Sequence, residues 1–377
     1  MENNNTMGLI FSGNPEVNLG ELMKVRSLAA VPVGGRYRII DFMLSNMVNS
    51  GIVNVGITTG YKHRSLSDHL GSGKAWDMAR KQNGLFILSP PEGLEIANRP
   101  AEGIDFIDSA MSYLHRSRQE YVMLSDCNTI CNIDFDEVIK FHFEKDADIT
   151  VVCTEVGELT PKELGKHIML ECEEDGRVTD IQVYPKKQNS KLSYMHMFFI
   201  KKDFLIDLVG DCLSHDKHSI SRDILLANVD KRRIYGYKFD GYRKKIDSIK
   251  SFYQFNLELL DSEVRREVFG VDDTRSIHTK VKDSVPTKYG RDAEVKNSFI
   301  ADGCCIEGTV ENSIIFRGVK IGKNSVVKNS IVMQNSRIMD DCWVENAIFD
   351  KEVILCNGKK LVGQTTYPLC IGKRTIV

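Results

Sequence analysis

The sequence predicts two folded units in series, an α/β domain on a mixed, mostly parallel sheet followed by a parallel β-helix. Two observations carry this. Over the first ~250 residues, short apolar runs alternate with longer stretches of helical periodicity, the pattern of β-α-β units. Beyond Val285 an internal repeat takes over: VKNSFI from Val295, VENSIIF from Val310, VKNSIV from Val327 and VENAIF from Val344. A chain of 377 residues also exceeds the size at which one hydrophobic core keeps growing.

In chain order, strands are expected at residues 7–11, 54–58, 84–88, 121–124, 149–156, 167–171, 195–200 and 233–238. Between the first two, DFMLSNMVNSGI places Phe42, Met43, Leu44, Met47 and Val48 at helical spacing and stops at Gly51, as a helix with a glycine C-terminus should. The stretch 247–270, DSIKSFYQFNLELLDSEVRREVFG, reads as one strong helix leading out of this half. The carboxylates at 171–175 read as a solvated turn. The chain therefore divides into a first domain, 1–250, a connecting helix and linker, 251–288, and a β-helix, 289–377.

The repeat starts lie 15, 17 and 17 residues apart. A period near 18 is three hexapeptides, one triangular coil of a β-helix, with an aliphatic residue inward on each side and Gly, Asn or Ser at the corners. GVKIGKNSVV supplies the inward Ile321 and a corner at Gly322. A β-sandwich would need two-residue alternation and hairpin turns, which are missing. Hexapeptide β-helices often belong to acyltransferases that use a histidine base at a subunit seam. Here the last histidine, His278, precedes the coils, which disfavours that class and leaves an assembly or effector-binding platform.

Composition excludes other classes. With 50 basic against 52 acidic side chains, there is no electrostatic reason to expect nucleic-acid or membrane binding. The polar opening MENNNTMG has no signal-peptide pattern, and no apolar run approaches the ~20 residues of a membrane span. A cytoplasmic location is expected. The ten cysteines contain no C-x-x-C pair and read as buried reduced thiols, with Cys127 and Cys131 worth a test as metal ligands.

The first strand runs into SGNPEVNL, residues 12–19, the outline of a phosphate-holding loop. Such loops normally offer several glycines and a cation, because phosphate oxygens need bare N–H groups and counter-charge. This one offers Gly13, then Pro15 without an N–H, then Glu16.

The stretch 29–61, AAVPVGGRYRIIDFMLSNMVNSGIVNVGITTGY, resembles the signature of bacterial ADP-glucose pyrophosphorylase, glucose-1-phosphate adenylyltransferase. Further matches are HLGSGKAWDMAR from His69, ADITVVCTEV from Ala147 and YKFDGYRKKIDSIKSFYQFNLELL from Tyr237. The resemblance implies a Rossmann-like nucleotidyltransferase domain joined to a left-handed β-helix. It also implies attack of a sugar phosphate on the α-phosphorus of ATP, through a negatively charged transition state that relies on Mg²⁺ and cationic clamps.

The departures from that pattern matter as much as the matches. At the position of the loop arginine stands Asn18, and the supporting lysine has become Leu28. The first metal aspartate is displaced by one residue to Asp126, and since side chains alternate along a strand, the shift can turn the carboxylate away. Lys245 replaces the second, with Asp247 two residues on. The lysine that contacts the sugar phosphate is replaced by Tyr184, though Lys186 and Lys187 follow, and the run near the adenine is replaced by residues 90–106. No catalytic residue and no metal ligand is therefore assigned to this chain, and Mg²⁺ is expected in a catalytic partner.

The resemblance also implies an activator pocket between the domains, for which Lys24, Arg26 and Arg38 are the anion-binding candidates. The alternative for Gly34, Gly35, Arg36 and Arg38 is a turn with surface basic residues. The implied function is that of a regulatory, catalytically impaired subunit. It pairs with a catalytic ADP-glucose pyrophosphorylase subunit in a heterotetramer, or forms a homo-oligomer alone, and tunes ADP-glucose synthesis for glycogen under a sugar-phosphate effector. Two alternatives stand beside it: an active nucleotidyltransferase with displaced ligands Asp126, Asp247 and Lys186, and a binding module with no enzymic partner.

Overall fold

The structure is a computed structural model and describes residues 5–13, 17–60, 62–89, 103–270 and 275–377. The first domain is organised by a nine-stranded sheet. Thr6–Phe11 lies between Asn54–Thr58 and Tyr121–Asp126, parallel to both, and Gly84–Leu88 extends the parallel half to an edge. These strands are continuously apolar rather than alternating because helices cover both faces. Met7, Leu9, Val122 and Leu124 enter one core cluster, while Ile10, Val55, Ile57 and Met123 enter the other. Packing is close enough that a Cβ on Gly8 would stand 2.3 Å from the Met47 sulfur.

The other half makes the sheet mixed, as expected, by bringing in antiparallel pairs. Leu192–Lys201 runs against both Tyr121–Asp126 and Ile149–Glu155, and Ile234–Lys238 lies parallel to the latter. A hairpin of Ile168–Cys172 and Val178–Val183 joins at Leu192 and Ser193. Its second strand is absent from the sequence expectation, because VTDIQV alternates only weakly. The exposed turn at 173–176 separates the two, as the run of carboxylates suggested.

Ile39–Asn49 forms the expected helix, closed by Ser50 and by Gly51 at φ 73°. The stretch 247–270 is corrected from one helix to two, Ile249–Glu258 and Ser262–Phe269. Asp261 breaks the run: its backbone is extended and its side chain accepts from Glu263 N at 2.8 Å, so it caps a new helix instead of continuing the old one.

The β-helix has three parallel sheets of five short strands. Val295, Val310, Val327 and Val344 stack in register, so the repeat read from sequence is the coil. Asn297, Asn312, Asn329 and Asn346 follow with φ of 41–49°, the left-handed conformation that asparagine tolerates better than most residues. The two apolar residues after each corner divide their labour. Ile315, Val332 and Phe349 fill the β-helix interior, while Ile314, Ile331 and Ile348 join the core of the first domain. The β-helix is thus docked by one whole face. Tyr253 reinforces the junction, donating its hydroxyl to Asn329 O at 2.5 Å.

Candidate functional site

Among the described residues of the 12–19 loop there is no basic side chain. Gly13 faces open space, with nothing within 4 Å of where a Cβ would stand. Glu16 lies outside the described residues, as do residues 90–102. Asn18 turns its amide oxygen onto the N–H of Gly20 at 2.8 Å, closing a local turn. Leu28, at the lysine position, is fully buried in the core.

Around Lys245, where the resemblance expects a metal aspartate, the structure gathers nitrogen side chains. Along Tyr121–Asp126 the side chains alternate between the two cores. Asp126 continues the face of Val122 and Leu124, while Cys127, where the carboxylate would stand, packs into the opposite core. Arg243–Lys245 pairs antiparallel with Thr129–Cys131. From there Lys245 Nζ reaches His196 Nε2 at 3.2 Å. His196 sits at φ 56° in a bulge between Tyr194 and Phe198, the irregularity that aims its ring out of the strand pattern.

Burial, then Lys245 and His167, hold the His196 imidazole well below its usual range. It is therefore neutral and accepts from the ammonium. His167, 2.8 Å from Ser193 Oγ, is pushed down to about 4 by burial and then by Lys245 and Arg243. These groups leave a cavity of about 20 Å³, room for a single water.

Asp247 is engaged by groups of the chain itself. Its Oδ2 takes the Lys166 ammonium at 2.9 Å, and its Oδ1 accepts from the hydroxyls of Ser248 and Ser251 at 2.9 and 3.0 Å. Burial alone would raise its pKa, yet Lys166 and the hydroxyls hold it below the usual carboxylate value. Tyr184, at φ 54°, donates its N–H to His167 O, and Lys186 and Lys187 are exposed. Among the described residues no three His, Cys, Asp or Glu side chains are grouped to hold a metal. Mg²⁺ demands oxygen ligands, and an ammonium beside an imidazole does not fit it. The ten cysteines are free thiols; Cys127 and Cys131 are buried as expected, with burial pushing Cys131 up to about 12, whereas Cys356 is exposed.

A second site lies at the junction of the domains. Arg36, Arg38, Lys280, Lys282, Arg317 and Lys351 line a cleft of about 280 Å³, with His69 and Gln334. None of its described lining residues is acidic. Arg36 and Arg38 follow the tight turn through Gly34 and Gly35, and both line the cleft. Arg38 donates to Ser65 O and Oγ at 2.7 and 2.9 Å, and burial pushes it down to about 10. Lys351 is pushed down to about 7 by burial and then by Arg38 and Arg26. Arg317 is paired with Asp302 at 3.2 Å; the other cations around the cleft repel one another, and an anion would relieve them.

Only one of the three anion-binding candidates lines this cleft. Arg26 is 2% exposed and forms a bidentate pair with Asp350, both contacts at 2.9 Å, so its guanidinium ties the β-helix to the first domain. Lys24 is exposed and pairs with Glu21 at 2.5 Å. The cleft's lysines and Arg317 escaped the sequence reading because they come from the linker and separate coils. The Lys280-x-Lys282 doublet was their only local signal.

Residues 8–262 match the nucleotidyl transferase family, and residues 280–366 match the GlmU-like C-terminal hexapeptide family. The chain is 36% identical to the glycogen biosynthesis protein GlgD of Bacillus subtilis (strain 168), over 99% of this chain and 97% of that one. This chain belongs to the GlgD and glucose-1-phosphate adenylyltransferase family. Within the family it is 39% identical to GlgD of Geobacillus stearothermophilus, covering 86% of this chain and 83% of that protein. It is 34% identical to the glucose-1-phosphate adenylyltransferase of Thermosipho africanus (strain TCF52B), over 86% and 78%. No helix among the described residues is long and apolar enough to cross a membrane.

Proposed function

We propose that this chain is a regulatory, catalytically impaired subunit that pairs with a catalytic glucose-1-phosphate adenylyltransferase and modulates ADP-glucose synthesis for glycogen in the cytoplasm. The observation that carries the reading is Lys245 on His196 at the metal position, inside a fold otherwise retained from end to end. With Asp247 committed to Lys166, the displaced-ligand alternative has no assembled site to support it. The Mg²⁺ and the phosphoryl chemistry belong to the partner in a heterotetramer.

The basic cleft is this subunit's own contribution. A sugar-phosphate effector held by Arg38, Lys282, Arg317 and Lys351 would bridge the first domain and the β-helix. An effector shifts an equilibrium only through contacts that differ between two states, and a ligand spanning two domains is placed to make them.

The test is ADP-glucose synthesis by the purified chain alone and mixed with the catalytic paralogue from the same source, with Mg²⁺ and sugar phosphates varied. Silence alone and a raised turnover or altered effector response in the mixture are expected. Robust synthesis by the chain alone overturns the reading.

A further inference from the structure

A cavity of about 700 Å³ lies between the edge strand Gly84–Leu88 and the helix Met111–Arg116, within the range of about 300–1,000 Å³ usual for small-molecule sites. It sits where the parallel strands begin: Asn54 opens Asn54–Thr58, Asn83 precedes Gly84–Leu88, and Gln119 precedes Tyr121–Asp126. The 12–19 loop follows the opposite end of Thr6–Phe11, and the basic cleft shares none of these residues. The cavity therefore belongs to neither site.

Its floor is a chain of neutral polar groups. The Tyr113 hydroxyl donates to Asn54 Oδ1 at 3.0 Å, Asn54 Nδ2 donates to Gln119 Oε1 at 2.9 Å, and Gln119 Nε2 donates to Asn83 Oδ1 at 3.3 Å. Tyr113, Asn54 and Gln119 are buried, so these bonds fix the orientation of the groups without saturating them. An amide oxygen accepts twice and an amide nitrogen donates twice. Among the described residues, each of the three amides keeps a free acceptor position, Gln119 keeps a donor, and Asn83 keeps both of its donors. The wall is aromatic. Phe86 is 42% exposed, and its ring lies 5.2 Å from that of Tyr113 at 45°. Gly56 makes room for this arrangement, since a Cβ there would stand 2.6 Å from Tyr113 Cε1. At the rim Arg116 and Arg118 are exposed, and neither is ion-paired with a described residue.

We propose that this cavity binds a short neutral oligosaccharide. A sugar hydroxyl both donates and accepts, which matches amides that offer free donors and acceptors side by side. A phosphate only accepts, and the buried floor holds no cation for it. The C–H face of a hexose ring covers the exposed face of Phe86 and removes apolar surface from water. The guanidinium forks of Arg116 and Arg118 present paired N–H donors to neighbouring hydroxyls. The site does not depend on the regulatory reading.

The test is isothermal titration calorimetry of the full chain with maltotriose and cellotriose, an α-linked and a β-linked probe, and with glucose 6-phosphate as the anionic comparison. One of the trisaccharides is expected to bind with a Kd of about 1 mM or below, and sulfate, which is drawn to the basic cleft, should not displace it. Phe86→Ala should weaken that binding about tenfold or more. Asn83→Gly removes an amide while keeping the left-handed backbone at φ 63°, and should weaken it about threefold or more. Both side chains are exposed, so thermal unfolding reports that the fold of each variant is intact. Silence of both trisaccharides up to about 10 mM, wild-type affinity in Phe86→Ala, or displacement by sulfate overturns the proposal. So does glucose 6-phosphate binding that is lost in Arg116→Gln or Arg118→Gln while the trisaccharides stay silent, which would mark an anion site instead.

Discussion

Removing the Arg26 guanidinium tests how firmly the two domains are joined. The side chain is 2% exposed and its partner Asp350 is fully buried, with two hydrogen bonds of 2.9 Å between them. Arg26→Ala leaves a buried carboxylate uncompensated except for the N–H of Lys351 at 2.7 Å. Breaking a buried pair from one side typically costs about 3–5 kcal/mol, because the orphaned charge keeps its desolvation penalty. At an unfolding entropy of about 2.1 cal/mol/K per residue, a chain of this length should lose about 4–6 °C of Tm.

The assay is a double-mutant cycle by urea and thermal unfolding with Arg26→Ala, Asp350→Ala and both together. The double variant should be less destabilised than the sum of the singles by about 2 kcal/mol or more, since it buries no lone charge. Additive single effects, or an Arg26→Ala cost below about 1 kcal/mol, would refute the view that this pair locks the β-helix to the first domain.

Three further outcomes follow from buried groups. His142, 4% exposed and 2.8 Å from Thr150 Oγ1, is pushed down to about 4, first by burial. Its unfolded form titrates near 6.5, so it imposes no penalty above that pH. As pH falls from about 6.5 to 4, the unfolded state alone takes up the proton and stability drops by up to about 1.4 kcal/mol per unit; His142→Gln should flatten that part of a urea-stability profile. Lys351 at about 7 should gain its proton when an anion enters the cleft. Sulfate, whose charge is constant from pH 6 to 8, should then bind about tenfold tighter at pH 6 by calorimetry, and Lys351→Gln should abolish that dependence. Gly34 adopts φ +58°, and a Cβ there would meet Leu259 Cδ1 at 3.2 Å, so Gly34→Ala should cost about 1–2 kcal/mol in chemical unfolding.

What the sequence could show depended on how far apart the interacting residues lie. The coil repeat was legible because neighbours in a β-helix are one period apart, so Val310, Val327 and Val344 carry the same instruction three times. The parallel half of the sheet was legible because its strands are buried on both faces. The stretch 249–269 reads as one continuous helix because its apolar period runs through Asp261, and only the cap hydrogen bond to Glu263 decides the break.

At the site, Asn18, Leu28, Asp126 and Lys245 were readable as residue types that depart from the family pattern. Their consequences were not. That Lys245 meets His196 depends on a bulge 49 residues away in sequence, and that Arg26 is a tie between domains depends on Asp350, 324 residues on.

By itself, then, the sequence determined the two architectures and the residue types that stand at the positions of the family's nucleotide chemistry, both written in local pattern and residue identity. Only the tertiary structure decided which cations face one another. Arg36 and Arg38 from a turn, Lys280 and Lys282 from the linker, and Arg317 and Lys351 from separate coils converge on one cleft. They converge because one face of the β-helix, through Ile314, Ile331 and Ile348, buries itself against the first domain. That packing couples positions which no periodicity connects.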